Sequence, residues 1–113
     1  MNTEFNVEER VEGSTWMLTA SGELDLRTSP ELEECLTRVW NSTAELVILD
    51  LRQIEFMDST GLRLVLSADE RARGAGRRLV LVQGNEMVQR VLRVTKLDER
   101  LEIVADSAAL AAG

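Results

Sequence analysis

The side chains best suited to chemistry lie in one short run, Asp58-Ser59-Thr60-Gly61, which follows an apolar stretch. A hydroxyl beside a carboxylate could act as a nucleophile, help to bind an ion, or accept a phosphoryl group. Nucleophilic catalysis by serine needs a base within reach, usually histidine, and the chain has no histidine. The only lysine, Lys96, is far from Ser59 in the sequence. The residue types therefore disfavour serine catalysis.

Other site chemistries find little support in the sequence. With no histidine and one cysteine, a zinc or other transition-metal site is not expected. No phosphate-binding loop of the form G-x-x-x-x-G-K-[ST] occurs, and Gly74-Ala75-Gly76 lacks the third glycine of a dinucleotide-binding turn. Asp25 and Asp58 could form an acid–base or Mg²⁺-binding pair. Isolated aspartates more often cap helices or face solvent.

Two interpretations of residues 58–61 remain open. The first is a helix cap, with Asp58 or Ser59 as the capping residue and Gly61 letting the backbone turn tightly or come close to a partner. The second is a regulatory phosphate on Ser59, which the free N–H groups and the dipole of a helix N-terminus would favour. Such a phosphate would leave the protein folded and would act on whatever docks there, through charge and bulk.

The hydrophobic pattern predicts the strands that lead to this run. Residues 4–11 and 15–21 alternate and should form an antiparallel hairpin around Glu12-Gly13-Ser14, followed by a loop at 22–27. Continuous apolar runs at 45–51 and 79–82 predict strands buried on both faces, and a short last strand is expected at 101–104. In open α/β sheets, functional groups gather beyond the carboxyl ends of such strands, where residues 58–61 lie.

Helices are expected between the strands. Ser29 should cap the first, with Pro30 in its first position, and Asn41-Ser42 should end it. Asp58 or Ser59 caps the second and Gly74-Ala75-Gly76 stops it, Asn85 caps the third, and Asp106 or Ser107 caps a small terminal helix. Predicted buried faces are Leu32, Cys35, Leu36, Val39 and Trp40, then Leu62, Val65, Leu66 and Ala72, then Met87, Val88, Val91 and Leu92.

The order β-β-α-β-α-β-α-β-α predicts an α/β fold. We expect a mixed sheet of about five strands, with an opening antiparallel hairpin and then parallel strands, and about four helices. The 113 residues are enough for one domain, and no linker or repeat divides residues 1–113. The net charge of −7 disfavours nucleic acids and anionic membrane surfaces as partners.

The sequence also gives an expected location. No apolar run approaches the roughly 20 residues that span a bilayer. The first residues lack the basic region and apolar core of a signal peptide. A single cysteine, Cys35, suits a reducing compartment, so the cytoplasm is the expected location.

Two segments resemble those of a known family. The stretch from Val47 to Leu62, which includes Phe56-Met57-Asp58-Ser59-Thr60-Gly61, closely resembles the core motif of anti-sigma factor antagonists. These are bacterial single-domain STAS proteins (sulfate transporter and anti-sigma antagonist). Gly22-Glu23-Leu24-Asp25 resembles the family's other recurrent loop, and the order of elements agrees along essentially the whole chain. The resemblance implies a STAS-like fold.

The resemblance also implies partner switching without enzymatic activity. The unphosphorylated protein would bind an anti-sigma factor that is also a serine kinase and thereby release a sigma factor. The kinase would phosphorylate Ser59, and a metal-dependent serine phosphatase would reset it; ATP and Mg²⁺ would belong to the kinase, leaving this chain without a cofactor. Asp25 and Asp58 match positions at or beside the family's binding surface. The residues expected to bind the partner are Asp25, Arg27, Asp58, Ser59, Thr60, Gly61 and Arg63.

Two positions depart from the family pattern, and alternatives remain. Arg63 stands where the family usually has a small residue, and it could change partner choice, pair with a phosphate on Ser59, or simply face water. Lys96 replaces a glycine often seen before Leu97. A non-switching STAS subunit of a transporter or signalling scaffold is the alternative function, and a small hydrolase using Asp25 and Asp58 is a third. A monomer or weak dimer is expected, because the edge strand is exposed.

Overall fold

The computed structural model describes residues 4–106, which contain five strands and three α-helices. They occur in the order β1 (Asn6–Glu12), β2 (Thr15–Leu24), α1 (Ser29–Trp40), β3 (Leu46–Met57), α2 (Ser59–Gly74), β4 (Arg78–Val82), α3 (Glu86–Val94) and β5 (Glu102–Val104). A 3₁₀ turn at Leu97–Glu99 separates α3 from β5 and was not predicted. The predicted terminal helix after Asp106 lies outside the described residues.

The five strands form one mixed sheet in the order β1-β2-β3-β4-β5. The β1–β2 pair is antiparallel, and each later pair is parallel, with a helix making every crossover. The predicted α/β class and the opening hairpin are therefore confirmed. Because parallel neighbours bring their carboxyl ends to the same edge, the ends of β2 and β3 meet at Leu24 and Met57.

The core lies between the sheet and the apolar faces of the three helices. Alternate residues of the central strands, such as Val47, Leu49 and Leu81, are fully buried there. Most helical residues predicted to be buried contribute to this core: Leu32, Cys35, Leu36, Val39, Val65, Ala72, Val88 and Leu92. The predicted burial is only partial at Trp40, Leu62, Leu66, Met87 and Val91. No helix among residues 4–106 combines the length and apolar character needed to cross a membrane.

Strand β3 is longer than the sequence suggested. The predicted strand ended at residue 51, with a connection to follow, but β3 continues to Met57. Two register shifts against β2 place an extra β3 residue opposite the pairs Thr19/Ser21 and Gly22/Glu23. β2 likewise extends to Leu24, through part of the predicted loop. Because β2 and β3 stay paired to their ends, Asp58 lies directly between the end of β3 and the start of α2.

An ion pair between the buried Asp50 and the exposed Arg52 lies in β3 where this irregular part begins. Asp50 is only 3% exposed, and its carboxylate accepts hydrogen bonds from the Arg52 backbone N–H at 3.0 Å and from the Arg52 guanidinium at 2.8 Å. Burial raises the pKa of Asp50, but these hydrogen bonds outweigh burial, so the pKa lies below its ordinary value. Asp50 therefore has a structural role.

Candidate partner-binding site

Asp58 caps helix α2. Its Oδ1 accepts hydrogen bonds from the backbone N–H groups of Thr60 at 2.9 Å and Gly61 at 3.1 Å. Its own N–H donates to the carbonyl of Leu24 at 3.2 Å, which ties the cap to the end of β2. Of the two predicted capping candidates, Asp58 is thus confirmed, and Ser59 is instead the first residue of the helix.

The Ser59 hydroxyl is exposed and is not used by the fold. It makes no hydrogen bond within residues 4–106, so removing or modifying it leaves no buried group unsatisfied. The N–H groups of Thr60 and Gly61, however, are occupied by Asp58, and that of Leu62 donates to the Asp58 carbonyl. Two of the N–H groups expected to favour a phosphate here are therefore already bound, whereas the Ser59 N–H makes no hydrogen bond within residues 4–106 and the helix dipole remains.

Gly61 allows the first turn of α2 to press against the end of β2. A Cβ atom at this position would lie 2.8 Å from the Leu24 Cγ, 2.9 Å from the Leu24 carbonyl oxygen and 2.9 Å from the Met57 Cγ. Such separations are too short for any side chain. The glycine is thus required by packing within the domain, and Gly61 sets the distance between Ser59 and the end of β2.

Asp25 organises the loop after β2. Its Oδ1 accepts hydrogen bonds from the backbone N–H groups of Arg27 at 2.9 Å and Thr28 at 3.1 Å, and its carbonyl accepts from the Ser29 N–H at 2.8 Å. The backbone hydrogen bond from Thr28 does most to lower the pKa of Asp25, with smaller contributions from Arg27. The prediction that Ser29 caps α1 is wrong, since Ser29 already lies in the helix and Asp25 satisfies the preceding N–H groups.

The structure assigns different roles to the predicted binding residues. Arg27, Ser59 and Arg63 are exposed, Asp25, Asp58 and Thr60 are partly buried, and Gly61 is buried. Gly61 therefore acts through packing, whereas the three exposed side chains can reach a partner directly. Both aspartates are engaged in capping their own segments, which accounts for them without a shared metal or acid–base role.

Two exposed apolar side chains lie close in the chain to the predicted binding residues, and they were not predicted from the sequence. Leu26, between Asp25 and Arg27, is 75% exposed, and Phe56, two residues before Asp58, is 45% exposed. Large apolar side chains next to exposed charges are typical of a protein-binding surface. The sequence offered a signal in Leu26, which lies outside any strand or helix pattern. The sequence did not show that Phe56 is exposed, because it directly precedes the buried Met57.

The capping role of Asp58 can be tested by measuring stability, without a binding partner. We expect Asp58→Ala to lower the free energy of unfolding by about 1 kcal/mol, because two N–H groups lose their acceptor. Asp58→Asn keeps a capping oxygen and should differ from wild type by only a few tenths of a kcal/mol. Urea unfolding of the three proteins measures this directly. Equal stability of wild type and Asp58→Ala would contradict the capping role.

Comparisons with known proteins agree on one family. The profile of the STAS domain family matches residues 6–110. An anti-sigma-B factor antagonist of Staphylococcus aureus is 26% identical over 99 residues, covering 88% of this chain and 92% of that protein. Among solved structures, an anti-sigma factor antagonist from Mycobacterium paratuberculosis superposes with a TM-score of 0.83 at 22% identity, covering 99% and 97% of the two chains. The Bacillus cell fate determinant SpoIIAA in its phosphorylated form superposes with a TM-score of 0.73 at 20% identity. The match covers 96% of this chain and 98% of that chain.

Proposed function

This chain belongs to the STAS domain family, and on that premise we propose that it is a cytoplasmic anti-sigma factor antagonist that works by partner switching. Unphosphorylated, it binds an anti-sigma factor that is also a serine kinase, and the sigma factor is released. The kinase, which holds ATP and Mg²⁺, phosphorylates Ser59 and thereby ends binding. A serine phosphatase restores the first state. The chain, one STAS domain over residues 1–113, is a regulator and not an enzyme.

The observation that carries this proposal is the position of the Ser59 hydroxyl. It is exposed at the first residue of a helix whose start is held by the Asp58 cap and by the packing of Gly61. A kinase can therefore reach the hydroxyl in the folded protein, and the fold does not depend on it. The relatives named as anti-sigma factor antagonists support the partner class, and the solved phosphorylated form of SpoIIAA supports the modification.

Phosphorylation would act on docking and not on folding. A phosphate adds a charge of about −1.5 to −2 next to Asp58. The exposed Leu26 and Phe56 lie nearby in the fold, two residues after the end of β2 and one residue before the end of β3. A partner that covers these apolar side chains must exclude water and would have to desolvate the phosphate. Because Asp58 already occupies the N–H groups of Thr60 and Gly61, these two donors are not available to offset this cost.

The test is a phosphorylation assay with matched serine variants. Wild type, Ser59→Ala and Ser67→Ala are incubated with a candidate anti-sigma serine kinase and Mg²⁺-ATP, and phosphate is located by mass spectrometry. We expect close to one phosphate per chain on wild type and Ser67→Ala, and none on Ser59→Ala. Ser67 is the matched control because it is an exposed serine two turns further along α2.

Two other results would change the proposal. Phosphate on Ser59→Ala at the wild-type level would place the modification on another residue. A stable complex between wild type and an ATPase, with no phosphate on Ser59, would instead favour the non-switching subunit of a transporter or signalling scaffold.

A further inference from the structure

Arg63 lies one helical turn after Ser59 on the exposed side of α2. We propose that Arg63 is the counter-ion of phosphorylated Ser59 and holds the phosphate along the surface of the helix. This inference rests on the proposed function, because it concerns the modified form of Ser59. It assigns to Arg63 a role that the unphosphorylated fold does not require.

The spacing of the two residues brings their side chains together. Residues four apart in an α-helix are neighbours on its surface, with Cβ atoms about 5–6 Å apart. An anion that precedes a cation at this spacing also suits the helix dipole, so the order Ser59 then Arg63 is the favourable one. The long arginine side chain can reach a phosphate extending from the serine oxygen, and its planar guanidinium can bind two phosphate oxygens at once.

Arg63 is also available for this pairing. Within residues 4–106 it makes no ion pair and no side-chain hydrogen bond, whereas other exposed arginines, such as Arg38 and Arg78, pair with glutamates. Arg27, an exposed cation on the loop after β2, also makes no side-chain ion pair within residues 4–106, so the experiment below includes it as a comparison. Arg63 therefore gives up no contact in the described part of the chain when it turns to a phosphate.

The other charged groups near Ser59 in the chain and the sheet are mostly acidic and favour a side-chain cation as counter-ion. Asp58 adds negative charge and occupies the N–H groups of Thr60 and Gly61. Glu55, near the end of β3, and Glu23, near the end of β2, are exposed carboxylates in the same region. With two backbone donors taken and several acidic side chains in the same region, Arg63, four residues after Ser59 on the same helix, is the side chain best placed to compensate the phosphate charge.

The experiment measures the second pKa of the phosphate by ³¹P NMR. Phosphoserine is installed at position 59 during translation, in wild type, Arg63→Gln, Arg63→Lys, Arg27→Gln and Arg90→Gln. We expect this pKa to be about 0.4 higher in Arg63→Gln than in wild type, because the cation stabilises the dianion. Arg63→Lys should restore most of the difference. Arg90→Gln, an equal change of net charge at an exposed residue of α3, should leave the pKa as in wild type.

Each other outcome overturns the assignment. Equal phosphate pKa values in wild type and Arg63→Gln would show that Arg63 does not pair with the phosphate. A rise in Arg27→Gln instead would give the role to Arg27. The unphosphorylated Arg63→Gln protein should melt at the wild-type temperature, which shows that any change comes from the phosphate. No kinase is used, so a failure here is distinct from a failure of the phosphorylation assay.

Discussion

Gly61→Ala is expected to lower the free energy of unfolding by about 2 to 3 kcal/mol, the cost of forcing an extra methyl group into a packed interior. The new Cβ would meet the Leu24 carbonyl oxygen, a backbone atom that cannot rotate away, and the side chains of Leu24 and Met57. These close contacts can be relieved only if the first turn of α2 moves. That movement would displace Ser59 from the position in which Asp58 and Leu24 hold it.

The same substitution should therefore affect function more than its effect on stability implies. A displacement of about 1 Å can slow a positioned reaction on the order of a hundredfold, so phosphorylation of folded Gly61→Ala should fall steeply. Gly74→Ala is the matched control: it lies in the last turn of α2, and a Cβ there would meet nothing within 4 Å. It should be neutral or stabilising by up to about 1 kcal/mol and phosphorylated normally. Urea unfolding and an initial-rate kinase assay give both quantities, and equal effects at the two glycines would contradict the packing argument.

The sequence predicted the order and class of the elements because each helix and most strands carry their own periodic pattern. That pattern fails where β3 leaves regular pairing. Its buried residues Leu51, Ile54 and Met57 are three apart, since the register shifts insert extra residues between them. An apolar residue every third position fits neither a regular strand nor a helix well. The sequence alone therefore placed the end of the strand six residues too early.

Capping was predictable where the capping residue is adjacent to the helix. Asp58 and Asn85 each accept a hydrogen bond from an N–H group two or three residues further on, as expected for aspartate and asparagine. At α1, Ser29 does not act as the cap. Asp25 instead accepts hydrogen bonds from the N–H groups of the turn before the helix begins. At α1, residue preferences predicted that a side chain would accept hydrogen bonds from backbone N–H groups, but they did not predict that this residue is Asp25.

Contacts between distant segments could not be read from the sequence. The guanidinium of Arg77 donates to the carbonyls of Val39, Trp40 and Ser42, and so satisfies the end of α1 from more than thirty residues away. The packing of Gly61 against Leu24 is of the same kind. The motif indicated that a glycine was required, but only the fold shows that Gly61 fits against the end of β2 and fixes the position of Ser59.

Ser59→Glu is expected to weaken binding to the anti-sigma kinase about a hundredfold, equivalent to about 2.7 kcal/mol. The substitution places a carboxylate beside Asp58 on the surface that the partner would cover. Burying that charge is costly, and the N–H groups of Thr60 and Gly61 are already occupied. A phosphate carries about twice the charge of a glutamate, so the phosphorylated protein should bind more weakly still.

The control for Ser59→Glu is the same substitution at Ser67, which is also exposed on α2 but two turns from the cap. Both variants have the same net charge, so a general effect of charge would weaken both equally. Titration calorimetry with the kinase and ADP should show near wild-type affinity for Ser67→Glu and the large loss only for Ser59→Glu. If Ser59→Glu bound as tightly as wild type, negative charge at this position could not be the switch. The partner would then have to recognise the phosphate by its shape or size, or bind a different surface of the domain.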